Sequence, residues 1–356
     1  VTDLALSVLD LVPVRTDQTT AAAIQASLRL AETADELGFT RYWVAEHHNM
    51  PAVAATNPPV LIGVIAAATR RIRVGSGGVM LPNHAPLVVA EQFALLEAAY
   101  PGRIDLGIGR APGSDPVTNY VLRSGGGRDD KDIERFPDYV SDVIALMDAT
   151  GVELELQGRR YPLRATPKAE GSAKVWLLGS SLYSAELAAA QGLPYVFAHH
   201  FSGEGTAEAL RVYRSNFRPS DLLAEPKTFL TVNAAVAPTN EEAQRLIIPQ
   251  QLAMIALRTG GELKPSPLIE DAERVELPPA HRDLAEAMSS RWVVGDPPTA
   301  AARIRDLAHT FGVDEVMINP IAGALTGTAA DRFPAREQTL RLLAGELLGS
   351  EPTERA

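Results

Sequence analysis

At 356 residues the chain is long for one ordinary domain, although barrels of alternating strands and helices reach this length as a single unit. Apolar residues make up 46% and charged residues 22%, which excludes a disordered chain, and no apolar run approaches membrane-spanning length. A net charge of −11 without any Lys/Arg block gives nucleic-acid binding no electrostatic footing and would repel an anionic membrane; the absence of cysteine removes disulfides, thiolate metal sites and thiol nucleophiles.

The first residues carry no basic leader, so a cytoplasmic location is expected. Residues 4–9 read as a buried strand, 20–37 as an amphipathic helix closed by Gly38, and 41–45 (RYWVA) as a second strand. The rhythm repeats with a helix over 58–68, a strand over 72–75, a helix over 87–99 and a strand over 104–108. Beyond a loop-rich stretch, a helix over 138–147 leads to a strand over 175–178 and a helix beginning near Ser181. Residues 195–198, 229–236 and 315–318 supply the last three strands, with helices over 204–216, 241–256 and 299–311.

Eight βα repeats without consecutive strands predict a parallel (β/α)8 TIM barrel spanning 1–356 as one domain. Residues 111–135 and 259–291 break the rhythm and read as loop insertions at the C-terminal mouth, either candidate lids or surface loops without a role.

Glu46, His47, His48 and Asn49 follow the second strand and so face that mouth, where an imidazole can exchange protons near neutral pH and Glu46 could fix a ring. A structural or surface role is the other reading. Adjacent histidines do not give the four-residue spacing of helical zinc sites, so no metal is expected; only His84, His199 and His200 could join them. The strand end Ser76-Gly77-Gly78 allows either a tight turn or close approach of a flat ligand. Gly179, Ser180, Ser181 and, one turn on, Ser184 open a helix, suiting either an anion at its N-terminus or plain capping. Arg110 ends the fourth strand and Arg135 begins a helical segment; each can bind a phosphate or remain solvated.

Residues 42–50 (YWVAEHHNM), Asn57-Pro58, 74–82, Gly107 to Arg110 and 179–194 stand in the order of the bacterial luciferase-like flavin monooxygenases, the alkanal monooxygenase-like group. The chain resembles that family over most of its length, and Val293 to Pro297 extends the likeness. The resemblance implies use of reduced FMN and O2 through a C4a-hydroperoxyflavin to oxidise a small organic substrate, such as an aldehyde, ketone or secondary metabolite. A separate flavin reductase would spend NAD(P)H, and the oxygenase would be a homodimer joined through its early helices.

It also implies proton transfer at His47 with His48 beside it, and a flavin ring against Ser76, Gly77 and Gly78, where a cis peptide is common. Ser181 and Ser184 fall on the family's phosphate-binding hydroxyls, and Arg110 and Arg135 on its phosphate-binding arginines. Gly109 replaces the reactive cysteine of the light-emitting enzyme and Ser180 its glutamate, so light emission does not carry over. His199, His200, Phe201 and Trp292 are expected to shape the substrate side. A deazaflavin-dependent oxidoreductase and a non-catalytic flavin-binding protein remain as alternatives.

Overall fold

The computed structural model describes residues 4–111, 115–124 and 131–349. Pro112, Gly113 and the glycine run 125–127, within the first expected insertion, lie outside them. The strands in chain order are β1 (Ala5–Asp10), β2 (Arg41–Val44), β3 (Arg73–Met80), β4 (Ile104–Gly109), β5 (Val152–Leu156) and β6 (Arg159–Leu163). They continue with β7 (Lys174–Gly179), β8 (Tyr195–Phe197), β9 (Thr228–Val236), β10 (Val293–Gly295) and β11 (Glu315–Pro320).

Eight of these strands pair in parallel in the order β1-β2-β3-β4-β7-β8-β9-β11 and close between β11 and β1. This is the expected (β/α)8 barrel, with helices in the intervals between strands. The short β10 adds to β9 beyond the point where β8 leaves it.

Local chemistry sets the helix limits. Asn57 Oδ1 accepts the Val60 N–H ahead of helix Pro58–Ala68, and Asp296 caps helix Pro297–Phe311, whose end passes through Gly312 at φ 59°. The expected helix over 241–256 is two helices, Asn240–Leu246 and Ile248–Arg258, divided just before Pro249. The antiparallel β5–β6 hairpin and the final helix Pro334–Leu347 were not foreseen from the sequence.

Side chains alternate along each strand. Leu6, Val8, Tyr42, Val44 and Val74 join the layer beneath the helices, while Leu9, Trp43, Trp176, Val196, Phe229 and Met317 fill the barrel. The rings of Trp43, Trp176 and Phe229 meet at centroid distances of 5.0–5.7 Å. Below them the barrel is floored by charge: Arg41 bonds Asp105 at 2.7 Å and Glu315 at 2.6 Å, and Arg73 bonds Asp105 at 2.6 Å. Aromatic filling and a paired ionic floor close one end of the barrel, leaving the carboxyl ends of the strands as the open end.

Candidate active site

Glu46 directs its carboxylate back against the end of β3 and is 2% exposed. Its Oε1 accepts from His48 Nε2 at 2.8 Å and His84 Nε2 at 2.7 Å, and its Oε2 accepts the Met80 N–H at 2.9 Å. Burial opposes ionisation, but these donors prevail and hold the carboxyl at about pKa 2. The carboxylate therefore orients His48 and His84 rather than His47. These three residues also place ligand atoms within 4.8 Å of one another, a donor set able to hold a metal that spacing along the chain did not reveal. In the structure, hydrogen bonds join them.

His47 is left for other work. Its backbone N–H is tied to Ala55 O at 2.8 Å, yet its ring Nδ1 is buried without a hydrogen-bond partner. Burial lowers the imidazole pKa, the Glu46 carboxylate opposes that, and His48 adds to it. An unpaired, neutral-leaning imidazole next to a cavity is a costly arrangement for structure alone.

The glycine-rich end of β3 forms a side-chain-free wall. The Gly77–Gly78 peptide is cis, at the place the family resemblance points to. A Cβ on Gly78 would sit 2.8 Å from Gly107 O, and one on Gly107 only 2.0 Å from Ser76 O, so the backbones of β3 and β4 meet too closely for side chains. Ser76 itself is fully buried and donates to Gly107 O at 2.8 Å. Its hydroxyl is thus committed to the wall, and Gly77 is the residue of the three that reaches the cavity.

Next to this wall, Gly109 pairs with Leu178, which brings the ends of β4 and β7 together. The Arg110 guanidinium lies 4.1 Å over the Tyr183 ring, in the first turn of helix Leu182–Gln191. Ser181 occupies the N-cap position without a side-chain cap bond; Ser180 and Ser181 are exposed and Ser184 is buried. Arg110, Ser180 and Ser181 are thus assembled at one helix N-terminus, where free N–H groups favour an anion. Arg135 precedes helix Phe136–Met147 and stacks 5.0 Å over Tyr139 of that helix.

A cavity of about 970 Å³ opens at the mouth, with His47, His48, Gly77, His200, Asn233 and Asn319 on its inner side. Helix Ile248–Arg258 and residues 261–267, the latter from the second expected insertion, make its outer wall. Phe201 also lines it, but His199 and Trp292 do not: with His200 and Phe201 they border a small neighbouring crevice. His199 bonds Thr206 and packs on Phe311, and Trp292 is 8% exposed in a cluster around Ile247 and Ile269. Neighbouring residues point apart, so the expected substrate group of four divides between two spaces. Asn233 and Asn319, which carried no sequence signal, join the cavity because inward positions recur every second residue.

The sequence profile of the luciferase-like monooxygenases matches residues 5–315. The chain belongs to the luciferase-like monooxygenase family. It is a flavin-dependent monooxygenase by that membership. It is 41% identical over 319 residues to a luciferase-like monooxygenase of Escherichia coli (strain K12), covering 89% of this chain and 91% of that one. It is 31% identical over 325 residues to N-acetyl-S-alkylcysteine monooxygenase of Bacillus subtilis (strain 168), covering 90% and 94%. The crystal structure of apo-MsnO8 superposes with a TM-score of 0.84 at 33% identity, covering 98% and 99%. The fold alone is shared with the FMN complex of the oxygenating constituent of 3,6-diketocamphane monooxygenase from Pseudomonas putida, at TM-score 0.72 and 17% identity. An F420-dependent secondary alcohol dehydrogenase shares it at TM-score 0.65 and 14% identity. No helix among the described residues is long and apolar enough to cross a membrane.

Proposed function

We propose that this monooxygenase uses reduced FMN and O2 to oxidise a small organic substrate, with flavin recycled by a separate NAD(P)H-dependent reductase. The observation that carries the reading is His47 Nδ1, buried without a partner beside the glycine wall of a 970 Å³ cavity. The residues present fit the flavin: a flat wall at Gly77 and Gly78 for a ring, and Arg110, Ser181 and the helix N-terminus for a phosphate. Arg135 and Ser184 belong to the same assignment by family likeness. Reduced flavin, once bound, supplies the electrons that activate O2.

The chain's own contributions are positional and protic. Glu46 holds the end of β2 against Met80, so His47 keeps a fixed place relative to the wall. His47, neutral near pH 7, can take or return a proton through its imidazole, whose ring lines the cavity. Residues 261–267, which lead into helices Ile269–Ala272 and Pro279–Ser289, act as a lid that limits water once substrate is in place.

His47→Asn should lower turnover about 10²- to 10⁴-fold while leaving flavin affinity within a few-fold, the range for a lost acid/base. Stopped-flow oxidation of reduced FMN together with product analysis reads both, and unchanged turnover removes the proton-transfer role. Titration with FMN and with a deazaflavin separates the two cofactor readings: tight binding of the deazaflavin alone would replace this proposal with hydride transfer.

Gly179→Ala tests the phosphate corner. The new Cβ would lie 2.2 Å from Ser184 Oγ and 2.4 Å from Ser184 Cβ, so the first turn of the helix must move. FMN affinity should fall at least about tenfold, the scale of one lost charge-assisted hydrogen bond, with the fold retained. Equal affinity in equilibrium dialysis would place the phosphate elsewhere.

The reading includes a homodimer. Adjacent helices Pro58–Ala68 and Pro86–Ala99 expose Val60, Val64, Val88 and Leu95, apolar positions suited to a second copy. A monomer mass in sedimentation at micromolar concentration would remove the dimer from it.

A further inference from the structure

The inner cavity holds a second imidazole whose hydrogen-bonding state the surrounding network sets. His200 Nδ1 lies 2.8 Å from Thr231 Oγ1. That hydroxyl has one proton, which it donates to Phe197 O at 3.2 Å, and the His200 backbone N–H also approaches the same oxygen at 3.5 Å. Thr231 therefore accepts from His200, and Nδ1 carries the ring proton. The ring is neutral: burial drives its pKa to about 4, with the charges of His199 and His47 acting in the same direction. A neutral imidazole protonated at Nδ1 has a bare lone pair at Nε2. That nitrogen has no partner among the described residues and, unlike His47 Nδ1, is not a sealed atom; the ring borders the main cavity.

The rest of the inner wall offers no free charge. Of the charged residues lining the cavity, Asp115, Glu262 and Lys264 are exposed. Arg336 is 2% exposed and already bonds Asp10 and Pro320 O at 2.7 Å each. Asn319 donates to Asn233 at 2.7 Å, and Asn233 donates to His200 O at 2.8 Å, so part of the amides' capacity is taken up in holding the His200 segment. Around them stand Leu9, Leu11, Ala45, Met254 and Ile321.

We propose that His200 Nε2 is the hydrogen-bond acceptor for the substrate, and that the substrate is an uncharged, largely apolar molecule carrying an N–H or O–H donor near the oxidised atom. A charged end would find no counter-ion at the inner wall, whereas a donor would satisfy a lone pair otherwise bare in an apolar recess. Thr231 is the positioning residue that keeps that lone pair on the cavity side. The proposal rests on the oxygenase reading above for the identity of the reacting space.

Two measurements on the full-length chain test it. In protein labelled with [15N]histidine, the resonances lost in His200→Gln should show, at pH 7, a protonated Nδ1 and an unprotonated Nε2. A proton on Nε2, or an imidazolium, overturns the assignment. The second measurement uses N-methylbenzamide and N,N-dimethylbenzamide as probes of equal class, one with a donor and one without. The wild-type protein should bind the donor probe about tenfold more tightly, as one net hydrogen bond implies, and His200→Phe should reduce the preference below about twofold. Equal affinities in the wild type, or no saturable binding of either amide, overturn the ligand class. FMN titration of the same samples separates the readings: intact flavin binding without discrimination removes this inference alone, while lost flavin binding in the wild type removes the cofactor proposal.

Discussion

Arg41→Met should lower the unfolding free energy by about 3–5 kcal/mol, the range for breaking a buried ion pair from one side. Arg41 is 4% exposed inside the barrel, bonding Asp105 Oδ2 at 2.7 Å and Glu315 at 2.6 and 3.0 Å. Its guanidinium also lies 4.8 Å over Trp176, so it joins the ionic floor to the aromatic filling. Burial works against its charge, but Asp105 and Glu315 outweigh that and raise its pKa. Methionine would replace the stem and leave the two acids without their bidentate partner, with Arg73 and the more distant Lys174 acting on Asp105. Asp105 keeps Arg73 and the Trp43 indole N–H, while among the described residues Glu315 keeps only the Ser7 hydroxyl, so most of the loss falls on Glu315. The double variant Arg41→Met/Glu315→Gln should therefore recover part of the loss. Urea unfolding monitored by tryptophan fluorescence measures both variants. A cost below about 1 kcal/mol for the single change would mean that water or rearrangement already screens this floor.

That floor also shows how far the sequence could be read. The barrel was legible because its eight strands are apolar runs separated by helical periods, and burial of both faces makes such runs continuous. Arg41, Arg73 and Glu315 stand at strand starts, where a charge ordinarily reads as a solvated end; only closure of the barrel turns them inward together. The β5–β6 hairpin escaped notice for the opposite reason. Its strands are almost wholly exposed, so no buried face imprinted a period on them. At the mouth, the Glu-His-His string marked the right place, and the pairing of Val44 with Ser76 carries Glu46 to Met80 and His84. His84 is 38 residues from Glu46, a separation at which no local pattern survives. His199 and His200 were read as one group, yet consecutive side chains diverge, and each found its own threonine.

Those two histidines set the second large effect: acidification from pH 7 toward 4.5 should begin to destabilise the protein above the range in which its carboxylates protonate. Burial lowers both imidazoles from 6.5 to about 4, assisted by Arg303 and Arg291 at His199 and by His199 and His47 at His200. In the unfolded chain both bind protons as the pH falls through 6.5, while the folded chain resists until about 4. The unfolded state thus holds more protons across that window, so stability rises with pH there and is lost as pH falls. Each group contributes about 2–3 kcal/mol at full effect, after a discount for its partial exposure. His47, whose pKa burial also lowers, acts in the same direction. Glu46 does not enter this window: its folded pKa of about 2 against 4.5 gives stability that is lost only below 4.5. The hydrogen bonds do not offset the burial that opposes protonation. Each Nδ1–H already has a threonine hydroxyl that passes its own proton to a backbone carbonyl, so a second proton at Nε2 gains no comparable acceptor. Urea midpoints at pH 7.5, 6.5, 5.5 and 4.5 should fall monotonically in the wild type and much less steeply in His199→Gln/His200→Gln. A wild-type midpoint that stays level from pH 7 to 4.5 would show that both rings take up protons in the folded state, and would remove the neutral acceptor from the inner wall as well.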